Sequence, residues 1–309
     1  MSTNTGGASP RVLSLKNSGN NPQSALPDSD LQLPTGALDC HVHVIDPLRY
    51  PCPLTPGYLP PPPARTDSTA LDSVLQQHGV AGALLVQASC YGTDNSVMLD
   101  MLHSKCSARA AVAGVEPDIS EATLEALAAG GIIGLRLNVI NHGTQALTQI
   151  APLLPHLQRL GWFVEVQCRA ADFTALAGPL LAAEIPLVFD HLGYPDPQLG
   201  VQEPGFQDIL QLGRQGRAVV KLSGAFRLSR QAWPHADLDP FVAELLDAFG
   251  PARCIWGSDW PFVSTTTPPR YADVIALLAR WLPEAADRHT VLVDAPRACL
   301  GLSCWQSIP

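Results

Sequence analysis

The chain of 309 residues is long enough for one large domain, and 46% of its residues are hydrophobic while 15% are charged. Its formal net charge of −9 argues against nucleic acid or an anionic membrane as a partner. None of the eight cysteines forms a CxxC pair, and no apolar run approaches the roughly 18 residues that span a membrane. Together with an N-terminus that lacks an apolar signal segment, these features predict a cytoplasmic protein with free thiols.

Residues 1–34 are rich in Ser, Asn, Gly and Pro and show no periodicity, which predicts a flexible N-terminal tail. After this tail, short apolar segments alternate with amphipathic ones. The apolar segments are strand candidates: Leu38–Val44, Ala81–Gln87, Ala110–Val115, Ile132–Asn138, Trp162–Gln167, Pro186–Asp190, Ala218–Leu222 and Cys254–Gly257. The amphipathic segments are helix candidates, among them Ser68–His78, Ser120–Ala129, Gln145–Leu160, Ala171–Ala183 and Leu238–Phe249.

Eight strands that alternate with helices predict an α/β fold, a single-domain (β/α)₈ TIM barrel over residues 35–309. A doubly wound open sheet is the alternative. It would require a glycine-rich phosphate turn, and no GxGxxG or GxxxxGK[ST] motif occurs. The proline-rich segment 47–63 would form the first loop on the catalytic face of the barrel, either as a lid or as a spacer without a role.

Polar residues lie at the ends of three predicted strands. The sequence DCHVH at residues 39–43 places His41 and His43 on one face of the first strand, because alternate residues of a strand point the same way. The sixth strand leads into His191 and the eighth into Asp259. Catalytic groups of such barrels lie at the carboxyl ends of strands, and the eighth strand neighbours the first. We therefore expect these four residues to form a catalytic cluster, although an HxH pair alone is equally explained by two structural histidines.

Seven sequence motifs resemble, in the same order, those of the amidohydrolase superfamily, and more narrowly those of the 2-pyrone-4,6-dicarboxylate lactonase group. They lie between residues 39 and 302 and read DCHVHV, VQASCYGTDN, GLRLN, VFDHLGYPDP, VKLSGAFRLS, WGSDWPF and DAPRACLGL. The resemblance implies that Asp259 takes a proton from the attacking water and that the three histidines surround the scissile carbonyl. It also implies roles in substrate binding for Tyr58, Ser89, Arg136 and Arg227. A guanidinium can hold a carboxylate through two hydrogen bonds, although a surface ion pair is the alternative for each arginine.

The chain departs from the lactonase pattern at three positions. His142 stands where those enzymes have a second carboxylate-binding arginine, Gln167 where they have a tyrosine, and Ser264 where they have an asparagine. We include His142 and Gln167 among the candidate substrate-binding residues. The departures predict a lactone with fewer carboxylates, or with differently placed ones, than 2-pyrone-4,6-dicarboxylate.

We therefore expect a hydrolase that opens a small anionic lactone with water activated by Asp259 and that needs no cofactor. Metal-using members of the superfamily have a further ligand on the fifth strand, where this chain has Gln167, a poor zinc ligand, although Glu165 is in phase with it. If a metal were bound, its ligands would be His41, His43, His191 and Asp259. The alternatives are a metal-dependent amidohydrolase or decarboxylase acting on a small aromatic or carboxylic acid, and a non-catalytic barrel that binds such an acid.

Overall fold

A computed structural model describes residues 31–52, 66–104 and 107–301 of the chain. They form an eight-stranded parallel sheet in which each strand pairs with the next along the chain, in the order β1 to β8. The strands are β1 (Leu38–Val42), β2 (Gly82–Val86), β3 (Ala108–Ala113), β4 (Ile132–Asn138), β5 (Phe163–Gln167), β6 (Leu187–Phe189), β7 (Ala218–Leu222) and β8 (Cys254–Trp256). This order confirms the predicted TIM barrel, and each strand lies where its apolar segment predicted it.

Helices connect the strands and cover the outside of the sheet. They are α1 (Ser68–Gln77), α2 (Ser96–His103), α3 (Glu121–Ala129), α4 (Val139–His142), α5 (Gln145–Ile150), α6 (Leu154–Arg159), α7 (Ala170–Ala182), α8 (Pro204–Arg214), α9 (Ala225–Leu228), α10 (Asp239–Phe249), α11 (Tyr271–Trp281), α12 (Ala285–His289) and α13 (Ala295–Cys299). Side-chain caps fix several starts: the Ser120 hydroxyl accepts a hydrogen bond from the Thr123 amide at 3.1 Å, at the beginning of α3.

The single helix expected over Gln145–Leu160 is instead divided. Helices α5 and α6 are separated by a 3₁₀ turn over Ala151–Leu153. Pro152 and Pro155 explain the division, because proline has no amide hydrogen and clashes with the carbonyl four residues earlier in a helix. Each proline therefore lies near the start of a new helical segment.

The first and last strands meet next to the predicted site and bring β8 against β1. The His43 amide donates to the Trp260 carbonyl at 2.8 Å, and the Asp259 amide donates to the His41 carbonyl at 2.9 Å. Gly257 permits this approach, because a Cβ atom there would lie 2.5 Å from the Cβ of His41. The barrel thus holds Asp259 beside the two histidines of β1, as the strand order predicted.

Part of the predicted organisation lies outside the described residues. This applies to most of the N-terminal tail, up to residue 30, and to positions 53–65 of the proline-rich loop, including Tyr58. Within the described ranges, none of the helices combines the length and the apolar character that crossing a bilayer requires.

Candidate active site

The four predicted catalytic residues lie together, buried at the carboxyl end of the barrel. Asp259 is at their centre: its Oδ1 atom lies 3.4 Å from His43 Nε2 and 3.9 Å from His41 Nε2, and its Oδ2 atom lies 3.8 Å from His191 Nε2. None of the four residues is more than 3% exposed. Neither His41 Nε2 nor Asp259 Oδ1 has a hydrogen-bond partner among the described residues, so both atoms are available to a bound molecule.

The backbone at two of these residues adopts a conformation that side-chain-bearing residues rarely have. The φ angle is +48° at His191 and +65° at Asp259. Left-handed backbone at residues other than glycine costs roughly 1–2 kcal/mol and persists only where neighbouring contacts impose it. Here the hydrogen bond from the Asp259 amide to His41 and another from the Phe262 amide to the Asp259 carbonyl, at 2.9 Å, fix the turn after β8.

The three imidazoles are neutral at physiological pH. Burial lowers the pKa of His43, lowers that of His191 to about 4, and together with the nearby Lys221 holds that of His41 well below its usual value. His43 Nδ1 lies 2.8 Å from the Val86 carbonyl oxygen. A carbonyl can only accept, so Nδ1 carries the hydrogen and Nε2 of neutral His43 is an acceptor directed at Asp259. His43 can therefore accept a hydrogen bond from a bound molecule through Nε2 but cannot donate one from this atom.

Asp259 is ionised and paired with an arginine. Arg227, on α9 directly after β7, places its Nε against Asp259 Oδ2, and its Nη1 donates to the Val263 carbonyl at 2.8 Å. Burial acts to raise the pKa of Asp259, but Arg227 and His191 outweigh it and hold this pKa well below its usual range. The sequence predicted that Arg227 binds a substrate carboxylate, whereas in the structure it contacts the candidate base.

A cavity of about 380 Å³ opens above the cluster and has the size of a small-molecule site. Predicted residues in its wall are His43, Ser89, Arg136, Gln167, His191, Arg227 and Asp259, joined by Ser264. His142 lies outside this wall, in an adjoining cavity of about 560 Å³ that shares Ser89 and Arg136 with the first. The two cavities therefore adjoin at Ser89 and Arg136, and His142 and Asp259 line different ones.

Arg136 is held in the cleft by neutral groups. Its Nη1 donates to the Gln87 carbonyl, its Nη2 donates to Gln167 Oε1 at 2.8 Å, and its Nε has no partner among the described residues. Gln167, at the end of β5, thus orients Arg136 from the position where the lactonase pattern has tyrosine. The charge of Arg136 is not paired with a carboxylate in these contacts.

Sequence reasoning missed two groups of residues. Tyr194 and Asn141 line the cavity from the loops after β6 and β4, and nothing in their local pattern distinguishes them from ordinary loop residues. The second group is a charged cluster beneath His41, formed by Glu165 on β5, Asp190 after β6 and Lys221 on β7. Strand alternation carried the signal for it, since Glu165 and Lys221 follow the inward-facing Phe163 and Val219 by two residues.

This cluster is fully buried and centred on Lys221. The Lys221 ammonium contacts Glu165 Oε2 and lies 3.2 Å from Asp190 Oδ1 and 3.1 Å from His41 Nδ1. Burial disfavours its charge, but Asp190 and Glu165 raise the pKa of Lys221 above its usual value. Burial and the neighbouring Asp190 raise the pKa of Glu165 to about 8. At neutral pH the ammonium of Lys221 is therefore balanced chiefly by the carboxylate of Asp190.

Three residues of the site could in principle hold a divalent metal ion. Ligand atoms of His41, His191 and Asp259 lie within 4.8 Å of one another, and imidazoles with a carboxylate suit zinc. However, two of these three ligands already contact a cation: Arg227 lies against Asp259, and the Lys221 ammonium lies 3.1 Å from His41. Asp259, the carboxylate of this set, is therefore already paired, and a divalent ion would have to displace Arg227 from it, so the surroundings do not fit the ion.

Comparisons with known proteins agree with this geometry. A family model for amidohydrolases matches residues 38–302. The chain is 30% identical over 276 residues to a 4-sulfomuconolactone hydrolase of Hydrogenophaga intermedia, which covers 87% of this chain and 90% of that protein. It is 28% identical over 278 residues to a 2-pyrone-4,6-dicarboxylate hydrolase of Comamonas testosteroni, and this match covers 86% of this chain and 90% of that protein. The crystal structure of a putative 2-pyrone-4,6-dicarboxylic acid hydrolase from Pseudomonas putida superposes with a TM-score of 0.77 at 31% identity and covers 88% of this chain and 99% of that one. The chain belongs to the amidohydrolase family.

Proposed function

We propose that the protein is a hydrolase that opens a small carboxylated lactone resembling 2-pyrone-4,6-dicarboxylate, with water activated by Asp259. The observation that carries the proposal is a buried, ionised Asp259 that lines a cavity together with the neutral imidazoles of His43 and His191 and with Arg136, while a third neutral imidazole, His41, lies 3.9 Å from it. This arrangement provides a base, neutral hydrogen-bonding groups and a fixed positive charge around one small molecule. The names of the relatives, which are lactone hydrolases, support the same chemistry.

The reaction proceeds by addition of water and opening of the ring. A water molecule beside Asp259 Oδ1 and His43 Nε2, which lie 3.4 Å apart, can donate one hydrogen bond to each, because both atoms are acceptors. Asp259 takes a proton as the water oxygen bonds to the lactone carbonyl carbon. The carbonyl oxygen becomes an oxyanion, then the carbon–oxygen bond of the ring breaks, and the proton passes from Asp259 to the departing ring oxygen. The product is an open-chain acid.

Carboxylates of the substrate bind to the two arginines. Arg136 projects from β4 into the cavity with neutral partners only, so an anion meets an unneutralised charge there. Arg227 is shared between Asp259 and the cavity wall. A substrate carboxylate competes with Asp259 for Arg227 and weakens the ion pair that makes Asp259 a poor base. An anionic substrate in this way raises the basicity of the group that activates the water.

The alternatives within the superfamily use a divalent metal ion for amide hydrolysis or decarboxylation. They are disfavoured by the contacts of Arg227 and Lys221 with the would-be ligands, and we propose that catalysis here is independent of metal. A lactone suits such a mechanism because its carbonyl is more reactive than that of an amide.

Free cysteines, six of them among the described residues, support the expected reducing cytoplasm.

The substitution Asp259→Asn tests the mechanism, because it keeps the shape of the side chain and removes the base. We expect kcat to fall by roughly 10²–10⁴-fold with the fold intact. Asp196→Asn is the matched control, since Asp196 forms an exposed ion pair with Arg230, and its kcat should not change. An Asp259→Asn enzyme that retains most of its activity would show that another group activates the water.

The substrate class requires a separate assay. Purified protein is incubated with 2-pyrone-4,6-dicarboxylate, with lactones that carry one carboxylate, and with aromatic acids as controls for decarboxylation. We expect ring opening of a carboxylated lactone without release of carbon dioxide. Decarboxylation of the aromatic acids, with no lactone opened, would replace the proposed function by its main alternative.

A further inference from the structure

No step of the proposed mechanism uses the buried cluster of Glu165, Asp190 and Lys221, yet Lys221 Nζ lies 3.1 Å from His41 Nδ1. We propose that Lys221 is a positioning residue that fixes the protonation pattern of His41. In this pattern Nδ1 of His41 accepts a hydrogen bond from the ammonium, and Nε2 carries the proton and presents it to the substrate. The assignment rests on the proposed lactone hydrolysis for its catalytic meaning, but the hydrogen-bond pattern itself does not depend on the reaction.

The direction of the Lys221–His41 hydrogen bond follows from the donors and acceptors present. An ammonium group has three N–H donors and cannot accept. The acceptors around Nζ are Glu165 Oε2, Asp190 Oδ1 at 3.2 Å and His41 Nδ1 at 3.1 Å. If Nδ1 carried a proton, two N–H groups would face each other across 3.1 Å in a fully buried site. A neutral His41 that accepts at Nδ1 must carry its hydrogen on Nε2.

A competing pattern is provided by Asp190. Its Oδ1 atom lies 3.2 Å from His41 Nδ1 and would accept a hydrogen from it. The charge of Asp190 is already compensated by Lys221, whose Nζ lies 3.2 Å from the same oxygen, and the contact between Lys221 Nζ and His41 Nδ1 has the distance and angles of a hydrogen bond. The geometry therefore favours Lys221 as the partner of Nδ1 over Asp190.

The two histidines of β1 therefore carry their hydrogen on different ring nitrogens and have different roles. His43 donates to the Val86 carbonyl through Nδ1, so its Nε2 accepts. His41 accepts through Nδ1, so its Nε2 donates, and this atom is buried without a partner among the described residues. His43 thus helps to hold the attacking water, while His41 donates to the carbonyl oxygen as it becomes negative. The proton on His41 Nε2 also removes the lone pair that a metal ion would need.

The hydrogen-bond pattern can be measured in the unmodified enzyme without substrate. Protein with ¹⁵N-labelled histidine rings is examined at pH 7.5 by two-bond ¹H–¹⁵N correlation spectroscopy, and the signals of His41 are identified by their loss in His41→Gln. We expect His41 to show protonated Nε2 and unprotonated Nδ1, and His43 to show the opposite pattern. A proton on Nδ1 of His41, or an imidazolium, would overturn the proposal.

Two variants distinguish positioning from a purely structural role. In Lys221→Met, Nδ1 of His41 loses its donor and turns to Asp190, so we expect the proton to move from Nε2 to Nδ1. Loss of one oxyanion donor lowers kcat by about 10²–10³-fold, and we expect a change in KM below about threefold. Glu165→Gln is the matched control within the same cluster: its amide oxygen still accepts from Lys221, and the protonation pattern of His41 should persist.

The outcomes separate this proposal from the proposed function. An unchanged His41 pattern in folded Lys221→Met would refute the role of Lys221 whatever the substrate. If Lys221→Met fails to fold, the wild-type spectrum and the Glu165→Gln spectrum still decide the point. If the spectra are as expected but Asp259→Asn is active, the two proposals separate. Lys221 then remains the partner that orients His41, and only the mechanism proposed for Asp259 is refuted.

Discussion

Replacing the two cavity arginines by methionine separates their roles in binding from their roles in catalysis. Arg136→Met removes a guanidinium whose protein partners are the Gln87 carbonyl and Gln167 Oε1. The side chain of Gln167 lines the open cavity, so water can replace the lost donor and folding should be nearly unaffected. The expected effect of Arg136→Met is weaker binding of the substrate carboxylate. A bidentate charge-assisted contact contributes about 1.5–3 kcal/mol, which corresponds to a loss of about 10- to 150-fold in kcat/KM.

Arg227→Met has a different expected result, because Arg227 also contacts Asp259. Part of its guanidinium is already engaged by Asp259 and the Val263 carbonyl. We therefore expect kcat/KM for a charged lactone to fall by roughly 10-fold, at the lower end of the range for a bidentate contact. For a neutral lactone the kcat/KM of Arg227→Met should equal that of the wild type. Without Arg227, burial raises the pKa of Asp259, so the acid limb of the kcat/KM profile should move to higher pH.

The assay compares 2-pyrone-4,6-dicarboxylate with its dimethyl ester, which differs in charge but keeps the ring. Initial rates for wild type and both variants give kcat/KM for each lactone between pH 4 and 9. Equal losses on the diacid and the diester would show that the arginines do not recognise carboxylates. An acid limb unchanged in Arg227→Met would show that Arg227 does not control the basicity of Asp259.

Other parts of the site make further predictions. Because burial lowers the pKa of His191 to about 4 and also lowers that of His43, wild-type kcat/KM should show no inflection near pH 6.5, and an inflection there would contradict neutral imidazoles. His191 titrates near 6.5 in the unfolded chain, whereas burial lowers its pKa to about 4 in the folded protein. Its contribution to the free energy of unfolding should therefore be complete above pH 6.5 and be lost as the pH falls towards 4, and urea unfolding at several pH values measures this loss. Gly257→Ala should push on His41 and reduce stability by about 1–3 kcal/mol together with kcat, whereas Gly178→Ala, in an open position of α7, should leave kcat unchanged. Metal analysis of purified protein should find no stoichiometric zinc, and chelation should leave activity intact; activity lost on chelation and restored by zinc alone would refute metal independence.

The fold could be predicted because its signals are local and repeated. Each barrel strand is a short apolar run, since a parallel strand is covered on both faces. The predicted and observed spans agree fully for Ile132–Asn138 and Ala218–Leu222 and differ by a few residues elsewhere. The one helix that was wrongly joined, over Gln145–Leu160, contains two prolines whose effect on helix continuity outweighs the hydrophobic periodicity.

The position of the site followed from the same rules, but its hydrogen bonds did not. Alternation along β1 and the adjacency of β8 were enough to place His41, His43 and Asp259 together. The state of each imidazole depends on its second nitrogen, whose partner comes from another strand: the Val86 carbonyl for His43 and Lys221 for His41. Such partners are distant in sequence and are fixed only when the strands meet in register.

Charge pairing within the barrel explains how an acidic protein can attract an anion. Two carboxylates near the reacting centre are each matched by one cation, Asp259 by Arg227 and Asp190 by Lys221. Burial and the neighbouring Asp190 raise the pKa of Glu165 to about 8, so Glu165 adds less negative charge at neutral pH than an ordinary carboxylate. These five groups leave the interior near neutrality despite the formal net charge of −9 of the whole chain.

Arg136 is the positive charge that remains once those pairs are formed, because its partners Gln87 and Gln167 are neutral. In the proposed mechanism, one carboxylate of the substrate would therefore bind at Arg136 without displacing any protein anion. A second carboxylate would have to take Arg227 from Asp259, the residue whose basicity the proposed reaction requires. The position where the lactonase pattern has another arginine is occupied by His142, which lines the adjoining cavity and not that of Asp259. A lactone with one strongly held carboxylate and a second group that engages Arg227 therefore fits this distribution of charge better than one with two equivalent carboxylate clamps.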